Sequence, residues 1–256
     1  MDDRVYIDGI RITKPHLKMK IVTIASREPT EPYYCFGAFL ESCRRFGHEP
    51  IVLKDGYAGL GSKLRMLKTW LDGWQEPDQH GAMIFCDSFD VVFQRDPILC
   101  LRCLRSGRRM VFNAERAMFP PNAEVEAGHP MSETSYRFLN SGFIVGYVNA
   151  FRECLDLLKV EQIEGDHQLS DGSWVNPNDQ EIWQQFFVKN RERLYMRLDT
   201  HVEICQTLCN VQPDELDFTG PLIRNRETGS TPIALHINGR KEEWLPLILE
   251  KLNLPR

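Results

Sequence analysis

Ala82-Met83-Ile84-Phe85-Cys86-Asp87-Ser88-Phe89-Asp90-Val91-Val92-Phe93 is the stretch whose reading decides the fold. An apolar run of strand length stops at two carboxylates, and a second apolar run begins at once. A buried strand that ends in acids puts negative charge at the rim of a sheet, where open α/β sheets bind their ligands. From a tight turn, Asp87 and Asp90 can reach one hard cation. Carboxylate oxygens suit Mg²⁺ or Mn²⁺, which keep several waters and also accept phosphate oxygens. Two readings stand side by side: a divalent-cation site for a nucleotide diphosphate, or a strand ending in a solvated acidic turn.

Toward the N-terminus, Ile21 to Ser26 is a β-branched run, read as a first buried strand, with Arg27, Glu28 and Thr30 at its end. Tyr33 to Phe46 has helical spacing and Gly47 is a natural stop. Pro50 to Leu53 reads as a second strand, so the chain opens as β-α-β, the usual start of a nucleotide-binding layer. Gly56, Gly59 and Gly61 make the next loop permissive. Ser62 is expected to cap the helix that runs through Leu64, Leu67 and Leu71. Lys63 then sits in a first turn, where a cation opposes the helix dipole unless it faces a bound anion. A solvated lysine is the plain alternative.

Toward the C-terminus, Pro97 starts a helix, and Met110 to Glu115 reads as a strand ending in an acid. Pro120 to Ser135 reads as a surface loop over the site. In Tyr136 to Tyr147, Asn140-Ser141-Gly142 breaks an apolar run. A glycine there marks close approach by a ligand or another backbone. A helix is expected over 150–160, and 161–177 is polar and irregular. Asn178-Asp179-Gln180-Glu181 leads into Ile182, Trp183, Phe186 and Phe187 at helical spacing, with acids where the dipole favours them. Leu194 to Leu198 is a strand ending at Asp199. Pro232 to His236 is the last strand and delivers His236, Asn238 and Gly239, followed by a helix from Lys241 to Leu252. Residues 1–19 form a lead-in, and 20–256 read as one α/β domain.

The 256 residues carry a formal net charge of -5, with 42% hydrophobic and 26% charged residues, ordinary for a water-soluble fold. Mild acidity argues against broad electrostatic binding to nucleic acid. No apolar run has the length of a membrane span, and Met1 to Lys20 lacks a signal-peptide core. Eight scattered cysteines fit free thiols in a reducing compartment, so a cytoplasmic location is expected and no membrane partner. Zinc on Cys100, Cys103, Cys205 and Cys209 is the competing reading.

Several motifs recur in a recognisable order. They are Gly59-Leu60-Gly61-Ser62-Lys63, Phe85 to Val92, Phe112-Asn113-Ala114-Glu115, Arg137-Phe138-Leu139-Asn140-Ser141-Gly142-Phe143, Asn178-Asp179-Gln180 and His236-Ile237-Asn238-Gly239. Together they resemble the glycosyltransferase domain of the procollagen lysyl hydroxylases (PLOD-type), a GT-A type fold, which implies a Rossmann-like mixed sheet flanked by helices. The resemblance implies that Asp87, Asp90 and His236 bind Mn²⁺ (or Mg²⁺). It implies that Lys63 stabilises a departing diphosphate, and that Thr23, Ser26, Glu28, Phe89, Asn238 and Gly239 contact the UDP-hexose donor. Asn140, Asp179 and Gln180 would face the sugar, with Asp179 beside the anomeric carbon. The sequence departs from the family at Phe89, where a tyrosine is usual, and after Asn178, where the family's loop is richer in acids.

The implied activity is transfer of a glucose or galactose from a UDP-sugar to a hydroxyl. The family precedent is a hydroxylysine-type peptide or glycan acceptor. A second version has 5-hydroxymethylpyrimidine in DNA as acceptor, with Arg102, Arg105, Arg108, Arg109, Arg191, Arg193 and Arg197 on phosphates. From other classes come a non-catalytic nucleotide-sugar binding module and a metal-dependent phosphohydrolase. The oligomeric state is not readable.

Overall fold

The computed structural model describes residues 4–7, 10–13, 19–25, 35–74, 81–104, 107–239 and 241–255. Strands β1 (Arg4–Ile7) and β2 (Ile10–Thr13) pair antiparallel. The opening layer is β3 (Met19–Ile24), α1 (Phe36–Arg45), β4 (Ile51–Leu53) and α2 (Ser62–Gly73). Next come β5 (Ala82–Asp87), β6 (Val91–Phe93), a 3₁₀ helix at Pro97–Leu104, and β7 (Met110–Glu115). After α3 (Ala123–Gly128) follow β8 (Phe138–Tyr147), α4 (Val148–Leu158), β9 (His167–Gln168), β10 (Trp174–Val175) and α5 (Asp179–Asn190). The chain ends with β11 (Met196–Asp199), β12 (Cys205–Thr207), β13 (Leu216–Asp217), β14 (Arg224–Asn225), β15 (Ala234–His236) and α6 (Lys241–Leu252).

The main sheet has the order β11-β7-β8-β5-β3-β4. β5, β3 and β4 run parallel, as do β11 and β7, while β8 lies antiparallel between β5 and β7. Strands covered on both faces read as continuous apolar runs, as β5, β7 and β8 do. Their side chains alternate between two cores. Met83, Phe85, Phe112 and Ile144 pack with Leu64 and Leu67 of α2, Phe151 of α4, and Trp183 and Phe187 of α5. Ile84, Cys86, Val111 and Val145 point the other way, toward Phe39 of α1 and Phe93 of β6. Truncating Trp183, which is fully buried, would remove on the order of 3–5 kcal/mol.

A smaller sheet, β12-β15-β6, completes the α/β fold. Only Ser88, Phe89 and Asp90 separate β5 from β6, so the chain steps between sheets inside the acidic turn. β15 lies antiparallel to β6 with His236 opposite Val91. Ile237 N donates to Asp90 O at 2.6 Å. This register carries an imidazole from the far end of the chain to the carboxylates. α6 backs this sheet, packing Trp244 and Ile248 against Val92 and Leu235.

Some boundaries differ from the sequence reading. The hydroxyl of Ser62 does not cap α2, whose N-cap is Gly61. It accepts from Ala58 N at 2.8 Å and donates to Gly59 O at 2.6 Å, tying the preceding loop. α4 begins at Val148, directly after β8. The 161–177 segment contains the short β9-β10 pair, and the 120–135 loop contains α3.

Candidate active site

Asp87 is the last residue of β5, Asp90 the residue before β6, and His236 the last residue of β15. His236 Nε2 lies 3.5 Å from Asp90 Oδ1 and 4.0 Å from Asp87 Oδ2. One ligand atom from each of the three falls within 4.8 Å of the others. Among the described residues this is the one group of His, Cys, Asp and Glu that close together. The space for the imidazole depends on Gly142. A Cβ there would fall 2.2 Å from His236 Cε1. The register of β8 against β7 jumps from Phe112↔Ile144 to Asn113↔Asn140, so Ser141 to Phe143 have no partner on β7. Such irregularities bend a strand and re-aim its side chains. The glycine's close neighbour is therefore a side chain, not the ligand or backbone expected. Two carboxylates and an imidazole with this spacing fit a hard divalent cation such as Mn²⁺ or Mg²⁺.

Lys63 sits in the first turn of α2 and donates from Nζ to Asp87 Oδ1 at 2.6 Å. Asp179 Oδ2 is 3.8 Å from the same ammonium. Burial pushes the Lys63 pKa down, but Asp179 and Asp87 outweigh it and hold the group above its ordinary value. Asp179 opens α5, where Asn178 Oδ1 caps the helix by accepting from Gln180 N at 2.9 Å. Burial raises the Asp179 carboxyl above its usual range, partly offset by Lys63.

Glu115, the end of β7, is the residue the sequence reading left without a role. Asn140 Nδ2 donates to Glu115 Oε2 at 3.1 Å and Asn238 Nδ2 to the same oxygen at 3.2 Å. Gln180 Nε2 donates to Oε1 at 2.7 Å. Three amides from β8, α5 and the segment after β15 thus converge on one carboxylate. Burial still dominates and pushes Glu115 up to about 7, against the pull of these donors. The signal in the sequence was an acid ending an apolar strand, as at Asp87.

These groups line one cleft of about 590 Å³, walled also by Leu60, Phe119, Cys209 and Gly239. Gly239 has φ +83, and a Cβ there would meet Cys209 Cα at 3.2 Å. Asn238 Oδ1 accepts from Leu208 N at 2.8 Å and Cys209 N at 3.1 Å, which fixes its amide. Asn140 and Gln180 reach the cleft as expected, but their amides are committed. Gly142 N donates to Asn140 Oδ1 at 2.9 Å, and Gln180 Nε2 also reaches Phe119 O at 2.6 Å.

Thr23 and Phe89 are not among the residues that line this cleft. Thr23 is fully buried, and its hydroxyl donates to Cys86 O at 2.7 Å across the β3–β5 pair. It ties two strands together. The Phe89 ring meets Phe36 edge-on at 5.9 Å. Ser26 and Glu28 lie outside the described residues, as do Arg27, Thr30 and Arg105. Four of the arginines proposed for DNA phosphates have partners within the chain. Arg109 pairs with Glu153 at 2.6 Å and Arg197 with Glu192 at 3.2 Å. Arg191 donates to Gly128 O at 2.9 Å and Arg193 to Asn190 Oδ1 at 2.9 Å. All eight cysteines are free thiols, and seven are buried. Cys100, Cys103, Cys205 and Cys209 do not form a metal cluster among the described residues. Among the described residues, no helix is long and apolar enough to cross a membrane.

A family profile described as PLOD GT domain matches residues 15–249. The multifunctional procollagen lysine hydroxylase and glycosyltransferase of Caenorhabditis elegans is 30% identical over 194 residues, covering 73% of this chain and 25% of that protein. Procollagen-lysine,2-oxoglutarate 5-dioxygenase 1 of Bos taurus is 29% identical over 241 residues, 88% of this chain and 30% of that protein. The chain spans a quarter to a third of the length of these curated relatives. Two solved structures share the fold. One is a glycosyltransferase involved in the glycosylation of the major capsid of PBCV-1 (TM-score 0.51, 11% identity, 90% of this chain and 98% of that chain). The other is the galactosyltransferase LgtC in complex with donor and acceptor sugar analogs (TM-score 0.50, 13% identity, 93% of this chain and 97% of that chain). The architecture is the GT-A type that the sequence motifs implied.

Proposed function

This chain belongs to the family of PLOD GT domains, and on that premise we propose that it moves a hexose from a UDP-sugar to a hydroxyl acceptor with the help of Mn²⁺ or Mg²⁺. The observation that carries the reading is the convergence of Asp87, Asp90 and His236 from two sheets, their ligand atoms within 4.8 Å, beside Lys63 and Asp179. A bound cation supplies positive charge for the departing diphosphate. Lys63 is placed to add a second positive charge on the same side, and Asn238 and Gly239 to border the donor.

Asp179 is buried, lies 3.8 Å from the Lys63 ammonium and sits at the edge of the cleft. It is suited to orient the sugar, to stabilise charge at the anomeric carbon, or to take the acceptor's proton. Asn140 and Gln180 border the sugar space and hold Glu115. A non-catalytic binding module would have no need for three buried carboxylates, Asp90, Glu115 and Asp179, in one cleft. Membership of the PLOD GT family favours a peptide or glycan hydroxyl over a DNA base. Free thiols throughout fit a reducing, cytoplasmic setting.

The test is a panel of UDP-sugars with Mn²⁺, read as UDP release against hydroxylysine peptides, glycans and hydroxymethylated DNA. The proposal expects metal-dependent UDP release with UDP-glucose or UDP-galactose, lost in Asp90→Ala. Release of inorganic phosphate in place of UDP would mean a phosphohydrolase. No turnover of any UDP-sugar despite tight UDP binding would mean a binding module.

A further inference from the structure

We infer that Lys63 and the divalent cation compete for Asp87, so that cation and diphosphate recruit each other. The inference rests on reading Asp87, Asp90 and His236 as the cation site. Lys63 Nζ holds Asp87 Oδ1 at 2.6 Å, while Asp87 Oδ2 faces His236 Nε2 at 4.0 Å. One oxygen of the carboxylate serves an ammonium and the other borders the metal-ligating group. A dication on Asp87 therefore comes within a few ångströms of a monocation whose side chain is only 12% exposed, where screening is weakened. The ammonium is the mobile partner, on a flexible four-carbon stem. Asp179 Oδ2, 3.8 Å away, keeps a counter-ion beside it when it leaves Asp87.

A diphosphate that meets the cation through its oxygens also presents anionic oxygens to the displaced ammonium. Each ligand thus removes an obstacle to the other. Because coupling between two bound ligands is reciprocal, UDP strengthens Mn²⁺ by the factor by which Mn²⁺ strengthens UDP. Lys63 sets that factor. The lysine acts as an order-keeping residue, weakening the cation site until nucleotide is present.

The experiment follows free Mn²⁺ by electron paramagnetic resonance, titrating the protein with and without saturating UDP. Without UDP, Lys63→Met should bind Mn²⁺ about tenfold more tightly than the wild type, the scale of a lost charge-assisted hydrogen bond. UDP should then enhance its Mn²⁺ affinity about tenfold less than in the wild type. Lys63→Arg, whose fork grips a carboxylate through two bonds, should bind Mn²⁺ more weakly without UDP. Lys63→Met tightening Mn²⁺ equally with and without UDP would reduce the effect to a general field and overturn the competition. An unchanged affinity in Lys63→Arg would overturn it too, and carries the test alone if the methionine variant does not fold. A wild type that takes no Mn²⁺ in either condition removes the cation site itself, an outcome distinct from either variant result.

Discussion

On the α2–α5 side of the cleft, Asp179 is 3% exposed and faces an ammonium; on the β7–β8 side, Glu115 is 3% exposed and faces three amides. Equal burial is answered in two ways. An ammonium compensates charge with charge, so Lys63 pulls the Asp179 carboxyl back toward ionisation. Amides offer only dipoles, and Glu115 rises to about 7 despite them and despite the nearby His236, which also pulls it down. The proposed function puts the charged diphosphate on the charged side. The amide side is built to hold a shape, and its carboxylate is poised to exchange a proton near neutral pH.

The sharpest way to break this contrast is to neutralise each acid with its isosteric amide. Asp179→Asn should slow hexose transfer about 10³-fold, within the range for lost acid–base or electrostatic participation, and leave UDP affinity at saturating Mn²⁺ within about threefold. Transfer at the wild-type rate, measured by UDP release with acceptor present, would remove Asp179 from the chemistry.

Glu115→Gln should act on stability through pH. The folded-state pKa of about 7 lies above the ordinary 4.5, so the folded protein binds the extra proton between those values. Unfolding free energy must then fall as pH rises from 4.5 to 7, by about 3 kcal/mol if Glu115 alone is responsible. Urea unfolding with a chelator present should show that slope in the wild type and a flatter profile in Glu115→Gln. An identical slope in both proteins would mean that the amides hold Glu115 ionised.

The two sides also differ in how far the sequence reveals them. Asp87 and Asp90 are legible because they interrupt an apolar run, and His236 because a last strand delivers it. Glu115 ends a strand in the same way, yet its partners lie at 140, 180 and 238 in sequence. Nothing local announces their convergence, which depends on strand order and on the register jump at Asn140. Lys63 was readable as a cation out of place in a first turn, but its carboxylate partners were not. Gly142 was readable as a point of close approach, though the approaching group is an imidazole from the second sheet. Thr23 illustrates the opposite case. The family resemblance implies a donor contact there, and the fold uses its hydroxyl between strands. The main sheet was legible because β-branched and apolar runs mark its strands, whereas the two-residue strands β9 and β10 carry no such run.

The most direct test is anomalous diffraction at the manganese edge from crystals soaked with Mn²⁺ and UDP. A single strong peak bounded by Asp87, Asp90 and His236, with the diphosphate on the side of Lys63, is the result expected here. A peak away from His236, or a nucleotide bound outside the cleft, would contradict it.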